Sequence, residues 1–301
     1  MEHGSMGSGS WRVLRPFDPW RSPLCTCPPK WTVNPYTGCG HGCLYCYASS
    51  YIRRFFEPRL KPGLVESVER DSRRVPRGSL VELSASSDPL QPLELEHRAT
   101  ARVLGLLLSR GFRVLVTTKA PHVLLDYAEV LEKHKGRVAV AVTVTTLDER
   151  LAAILEPGAP PPQLRLRAVA RLASAGIPVT IRLDPIIPLV NDSSENIEAV
   201  VREAARAGAL QITASTYKAK PDNFERLARA LPSIEGELRR LYRLEGERVR
   251  GYRYLKRSLR QEILEKAREA TEKHALEFAT CREGILVTKT VCDGSGYIRS
   301  P

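Results

Sequence analysis

Between residues 80 and 213 the chain alternates short apolar runs with longer stretches of helical spacing. Residues 80–84 make one short run, and 94–109 carry apolar positions three and four apart. Residues 112–117 are a second run, preceded by Gly111. In 122–134, Val123, Leu124, Tyr127, Val130 and Leu131 share one helical face. Residues 137–145 are almost pure valine, alanine and threonine, the composition of a parallel strand covered on both faces. A helix over 163–175 ends at Gly176, and a strand follows over 177–183. Asp192 and Ser193 offer caps for a helix from 194 to near Gly208, and Glu195 completes a capping box with Asp192. Residues 210–213 read as the last strand of the series.

Upstream, 31–36 predict a first strand and 47–56 a helix carrying Arg53 and Arg54. The polar, basic stretch 57–79 reads as a connection, and 11–30 as an irregular lead-in. Strands alternating with helices predict a parallel α/β sheet of six βα units. After Tyr217 the rhythm changes. Helices are expected over 221–230, 234–245 and 255–274, the last with Leu255, Leu259, Ile263, Leu264 and Ala267 on one face. One or two strands are expected within 276–291. Three regions follow: a lead-in at 1–30, a βα body at 31–217 and a helical extension at 218–301.

A length of 301 residues with 43% hydrophobic content is enough for a large core. No apolar run approaches the length of a membrane span, so no membrane role is expected. The Gly/Ser-rich start, residues 1–10, lacks the apolar region of a signal peptide and reads as a disordered leader or an appended tag. A cytoplasmic location is the expectation. The net charge of +12, carried mostly by arginine, suits a polyanionic partner. A surface of solvated ion pairs is the competing explanation.

The candidate chemistry lies in Asn34-Pro-Tyr-Thr-Gly-Cys-Gly-His-Gly-Cys-Leu-Tyr-Cys-Tyr47. Cys39, Cys43 and Cys46 supply three soft thiolate ligands where a closed zinc or cubane iron–sulfur site takes four. One metal corner is left open. The loop must bend sharply around its metal, and Gly38, Gly40 and Gly42 supply the freedom to do so. His41 is the nearest fourth ligand for a zinc knuckle, although it sits between two of the cysteines.

This CxxxCxxC with Tyr45 before the last cysteine resembles the signature of the radical S-adenosylmethionine superfamily. The closer resemblance is to its spore photoproduct lyase-like branch, often labelled DNA repair photolyase-like. It extends through Cys27-Pro-Pro-Lys30, Asn34–Gly38, Ser87-Asp-Pro89, Thr117-Thr-Lys119, Glu156-Pro-Gly-Ala-Pro160 with Arg165, Pro185-Ile-Ile-Pro188 and Ala279-Thr-Cys-Arg-Glu283. The resemblance implies a partial (β/α)6 barrel with a helical C-terminal extension. It also implies a [4Fe–4S] cluster on Cys39, Cys43 and Cys46, with S-adenosylmethionine chelated at the open iron. The cofactor would be cleaved to a 5′-deoxyadenosyl radical that takes hydrogen from a substrate. A one-electron donor such as ferredoxin or flavodoxin is implied as well.

In parallel α/β folds ligands sit at the carboxyl ends of strands. By that rule and the resemblance, Ser86 and Asp88 approach the methionyl amine, and Lys119 the cofactor carboxylate or a substrate phosphate. Thr143 approaches the ribose, Arg165 the carboxylate or ribose, and Tyr45 lies beside the open corner. An ion pair with Glu156 is the alternative for Arg165.

Cys25, Cys27, Cys281 and Cys292 remain. They could build a second iron–sulfur cluster or a zinc site, stay as buried thiols, or form disulfides. One of them could instead donate a hydrogen atom, as a cysteine does in the resembled lyase. From Arg239 to Arg260 nine basic residues are interleaved with tyrosines. There Arg250, Arg253 and Arg257 are candidates for phosphate, and Tyr252 and Tyr254 for stacking on unpaired bases. The combined expectation is a radical enzyme acting on nucleic acid, DNA or tRNA, as a repair lyase or base modifier. Two readings stay open beside it. One is the same chemistry on a peptide or small molecule; the other is a non-catalytic metal-cluster module that binds nucleic acid.

Overall fold

Seven strands in parallel register make the body of the fold. The computed structural model describes residues 13–17 and 22–299, so the expected leader and part of the lead-in lie outside the described residues. Strand β1 (Arg15–Pro16) runs antiparallel against β2 (Trp31–Val33) at one edge. From β2 the sheet continues in parallel through β3 (Leu80–Leu83), β4 (Arg113–Thr118), β5 (Val138–Thr143), β6 (Val179–Ile186) and β7 (Gln211–Thr216) to β8 (Glu277–Thr280). The expected last strand at 210–213 is therefore internal, because the C-terminal region returns to add β8 beside it. The result is the expected α/β partial barrel, enlarged by one strand.

Alternation along β5 shows how the barrel is filled. Val138, Val140 and Val142 join the main core, while Ala139 and Ala141 form a second cluster with Leu80, Leu115 and Ile298. Ile298 belongs to the C-terminal tail, which packs against this inner face. Gln211 Nε2 donates to the Val291 carbonyl (3.1 Å) and Thr213 Oγ1 to the Cys292 carbonyl (2.8 Å). The Arg299 amide reaches the Gly136 carbonyl at 3.0 Å. Small inward side chains on β5 and β6 leave room for that tail: Gly294, at φ +83°, lies so close to Thr180 that a Cβ would clash.

Helices cover the outer face. Helix Ser194–Arg206 buries Ile197, Val200, Val201 and Ala204 on one stripe, and each buried aliphatic of valine size or larger contributes roughly 1.5–3 kcal/mol. Its cap is Ser193, whose Oγ accepts the Asn196 amide (3.1 Å). The expected capping box on Asp192 is not formed, since Asp192 accepts the Leu189 amide instead. Helix Arg257–Lys273 packs Ile263, Leu264 and Ala267 inward.

Three further expectations change. Residues 47–56 make only the 3₁₀ turn Tyr47–Ser50 followed by turns. There Ser49 and Ser50 hydrogen-bond Asp222, an alternative to continued helix. The connection 57–79 contains helix Leu64–Ser72. Helix Glu149–Leu155, capped by Asp148, precedes the expected one, which spans Pro162–Ser174.

Candidate active site

The ends of the strands open into a cavity of about 450 Å³. Cys39, Cys43 and Cys46 line one wall of it, and all seven cysteines are free thiols. The loop bends as expected at Gly38 (φ +82°) and Gly42 (φ +65°), but not at Gly40. Its backbone is pinned from several sides. Gln91 accepts the Gly40 amide (2.8 Å) and donates to the Gly38 carbonyl (3.0 Å). The Gly158 amide donates to the His41 carbonyl (2.9 Å). Asn223 and Arg226, on helix Pro221–Ala230, donate to the carbonyls of Tyr45 (3.0 Å) and Leu44 (3.1 Å). Gln91, Asn223 and Arg226 had no signal in the sequence, because what they recognise is backbone.

Burial pushes the Cys43 thiol up to about 12 and raises Cys39 and Cys46 as well. In the metal-free chain these thiols are neutral at pH 7, and metal binding must release their protons. Three thiols on one wall, with no disulfide between them, are the donor set that a cluster with one open iron requires. Among the described residues no three His, Cys, Asp or Glu side chains are already closed into a metal cage. His41 does not complete a zinc knuckle. Its Nδ1 lies 3.0 Å from the Gly158 carbonyl and its Nε2 faces Asp88 Oδ2 at 3.2 Å.

Ser86, Asp88, Lys119 and Thr143 all line the cavity with Tyr45, as their strand-end positions require. Ser84, at the end of β3, takes φ +86°, a conformation that costs on the order of 1 kcal/mol and turns the chain into the segment carrying Ser86 and Asp88. The Asp88 carboxylate is already engaged. It accepts from Thr118 Oγ1 (2.7 Å) and the Lys119 amide (2.6 Å) and faces His41. Burial would raise it, but these partners hold it at about 2. Lys119 forms no salt bridge among the described residues, and its ammonium sits 5.4 Å from the Tyr45 ring. Burial would lower its pKa, but the Glu156 and Asp88 carboxylates nearby raise it, so it stays charged.

Arg165 is not among the cavity-lining residues. Its guanidinium pairs with Glu156 and donates to the carbonyls of Pro160 (2.8 Å) and Thr143 (3.0 Å). The ion-pair alternative describes it. Glu156 also accepts from the Tyr45 hydroxyl, so Tyr45 presents its ring to the cavity and spends its polar end on the wall.

The expected nucleic-acid stretch divides in two. Arg239, Arg240, Arg243, Lys256 and Arg260 are paired with glutamates. The other four, Arg248, Arg250, Arg253 and Arg257, make no salt bridge among the described residues. They sit on or beside the hairpin Glu247–Val249/Tyr252–Tyr254. The expected stacking role is corrected for Tyr254, which is fully buried; Tyr252 is 7% exposed and lines the cavity. Hairpin alternation turns both rings inward, and Tyr252 lines the cavity beneath Arg282. The sequence reading also missed Arg182 and Lys218, which line the cavity together with Asp184. Arg182 pairs with Asp184 and Lys218 with Glu283 (2.7 Å).

No helix among the described residues is long and apolar enough to cross a membrane. Over 212 residues the chain is 29% identical to an uncharacterized protein of Acidianus two-tailed virus, covering 65% of this chain and 69% of that one. Its fold is similar to a spore photoproduct lyase variant, with TM-score 0.66 and 17% identity over 82% of this chain and 75% of that one. It is similar too to spore photoproduct lyase complexed with dinucleoside spore photoproduct, with TM-score 0.63 and 17% identity over 81% and 74%. At such identities the likeness shows the fold, and it lends no support to a second iron–sulfur cluster. Residues 33–204, more than half of the chain, match the family model described as the Radical SAM superfamily, and the chain belongs to that superfamily.

Proposed function

We propose that this radical SAM enzyme acts on nucleic acid, taking a hydrogen atom from a lesion or base brought into the cavity. The observation that carries this reading is the placement of Arg248, Arg250, Arg253 and Arg257. None is spent on a carboxylate among the described residues, and all flank a hairpin whose Tyr252 lines the cavity wall. A net charge of +12 and the likeness to a lyase complexed with a dinucleoside photoproduct support it.

Cys39, Cys43 and Cys46 would hold the [4Fe–4S] cluster. When bound, the cluster supplies the electron that splits S-adenosylmethionine and so the radical chemistry. Lys119, on the wall of the cysteine loop and without a salt bridge among the described residues, is the cation placed to meet the cofactor carboxylate. Ser86 and Thr143 offer hydroxyls to its polar groups, and Asp88, fixed by His41, positions the strand end that carries Ser86. Tyr45 and Tyr47 exclude water from that wall.

Anaerobic reconstitution tests the chemistry. An absorbing cluster and 5′-deoxyadenosine on reduction with S-adenosylmethionine are expected, and Cys43→Ala should abolish both. Cluster loading without cofactor cleavage would instead favour a non-catalytic module. Binding of single-stranded DNA and tRNA across a salt series tests the substrate class. Arg250→Ala with Arg253→Ala should weaken binding at least tenfold and flatten the salt slope. Cofactor cleavage without any nucleic-acid binding would overturn the substrate assignment and favour a peptide or small molecule.

A further inference from the structure

Arg282 stands just past the carboxyl end of β8, the end at which parallel α/β folds place ligands. Its backbone takes φ +57°, a left-handed conformation that a residue with a Cβ keeps only when its neighbours hold it there. Both neighbours are held. The Cys281 amide bonds the Ala214 carbonyl (3.0 Å). The Glu283 carboxylate turns the other way and accepts from the Thr216 amide (2.8 Å), Thr216 Oγ1 (3.0 Å), Lys218 Nζ (2.7 Å) and Arg260 (3.3 Å). The Arg282 side chain is left on the cavity wall, its guanidinium 4.6 Å from the centre of the Tyr252 ring.

A ring contact engages the flat face of a guanidinium, whereas its five donors lie in the plane, at the edge. Arg282 Nε is buried and has no hydrogen-bond partner. Among the described residues Arg282 makes no salt bridge, and the four carboxylates that line the cavity, Glu82, Asp88, Asp184 and Asp293, are each held by other partners.

A second cation meets the same ring. Lys220 Nζ lies 4.6 Å from its centre, and Lys220 too makes no salt bridge among the described residues. Lys220 is not on the cavity wall but beside the hairpin turn, where a Cβ on Gly251 would stand 3.9 Å from its ammonium. The backbones of Ala219 and Arg253 tie the two segments together by a reciprocal pair of hydrogen bonds, each 2.9 Å. Two like charges gathered on one neutral ring repel each other, and a polyanion laid along them removes that cost.

We propose that Arg282 and Lys220 bind neighbouring phosphates of a single-stranded nucleic acid, so that the strand runs from the hairpin past Tyr252 into the cavity. The inference rests on the nucleic-acid reading above and names the form of that substrate: a phosphodiester-linked strand, not a free base or nucleoside. Arg282 is the inner contact, whose planar fork takes two phosphate oxygens at once. Lys220 is the outer contact, a point charge beside the turn between Arg250 and Arg253. Tyr252 supports both cations and sets the distance between them.

Calorimetric titration of the anaerobically reconstituted full-length chain with hexathymidylate tests this. The strand is used with all its phosphates and in five further forms, each with one linkage replaced by a neutral methylphosphonate. In the unmutated chain one neutral linkage should weaken binding about tenfold, and an adjacent one several-fold. Arg282→Gly, which also relieves the left-handed backbone, should bind the all-phosphate strand about tenfold more weakly and lose its sensitivity to the first linkage alone. Lys220→Ala should lose its sensitivity to the adjacent linkage alone. Each variant should flatten the slope of log affinity against log salt by about 0.7. Should Arg282→Gly not fold, Arg282→Gln keeps the ring contact without the charge and should give the same pattern. If both variants bind as the parent does, with the same linkages still sensitive, the inference is overturned while the nucleic-acid reading stands on the hairpin arginines. A chain that binds no strand at any salt concentration overturns both.

Discussion

Glu156→Gln removes one charge from a buried pair and changes almost nothing else in size. The side chains of Glu156 and Arg165 are each 1% exposed. The other contacts of Arg165 are carbonyls, those of Pro160 and Thr143, which accept hydrogen bonds but carry no counter-charge. Breaking a buried pair from one side costs about 3–5 kcal/mol. The Tyr45 hydroxyl also trades a charged acceptor for a neutral one, a further loss of about 1 kcal/mol, part of which the amide returns. A net loss of about 4 kcal/mol is expected, which for a chain of this size lowers Tm by roughly 6 °C. Equilibrium urea unfolding of the metal-free, reduced chain measures it without a contribution from bound metal. The companion variants are Arg165→Met and the double change Glu156→Leu with Arg165→Met. Removing both charges should cost less than removing either one. A Glu156→Gln chain within about 1 kcal/mol of the parent, or a double variant that loses the sum of the two singles, would refute the buried-pair account.

Burial, with Arg15 adding, pushes Lys61 down to about 8 from its ordinary 10.5. Below pH 8 the folded chain bears the full cost of that charge, and between 8 and 10.5 it has released a proton the unfolded chain still holds, so stability rises with pH in that window. Lys61→Met should therefore raise Tm at pH 7, and the gain should shrink toward pH 10.5, as melts across pH will show. Gly158→Ala puts a Cβ against the Gly40 carbonyl; an overpacking loss of about 1–3 kcal/mol and a several-fold drop in reconstituted iron per chain are expected. Ile298→Ala should cost about 2–5 kcal/mol and expose the C-terminal tail to limited carboxypeptidase digestion, which leaves the parent tail intact.

The strand series was legible because a parallel strand buried on both faces has to be apolar throughout, and 137–145 has no other use for its composition. The tail was not legible. It packs inside the barrel by backbone contacts with Gln211 and Thr213 and by the single apolar side chain of Ile298, so no period marks it. Ala139 and Ala141 hold the space open for it, yet small residues in a strand say nothing about what fills the gap. Arg165 was misjudged for a different reason. An arginine near a cofactor motif can clamp a ligand or brace the wall behind it, and only the position of Glu156 decides. The tyrosines at 252 and 254 did carry a signal. They are two residues apart in a strand that follows a turn at Gly251, and a period of two places both on the same face.

How the cations are spent separates scaffold from site. Around the cavity Lys30, Arg182 and Lys218 each hold a carboxylate within 2.8 Å, and behind it Arg165 and Arg260 brace glutamates. Those charges keep the walls in place and have little left to offer a ligand. Lys119 is different. It lines the same cavity on the wall of the cysteine loop, with no carboxylate of its own among the described residues. Glu156 and Asp88 nearby keep the ammonium charged without pairing with it, so its donors stay available to an anionic group entering the cavity. The same contrast holds outside, where Arg239, Arg240 and Arg243 are tied to glutamates and Arg248, Arg250, Arg253 and Arg257 are not. A net charge of +12 alone would not tell a solvated surface from a binding one. What adds to it is position: Lys119 lines the cavity beside the cluster loop, and Arg248, Arg250, Arg253 and Arg257 lie on or beside the hairpin whose Tyr252 lines the same cavity.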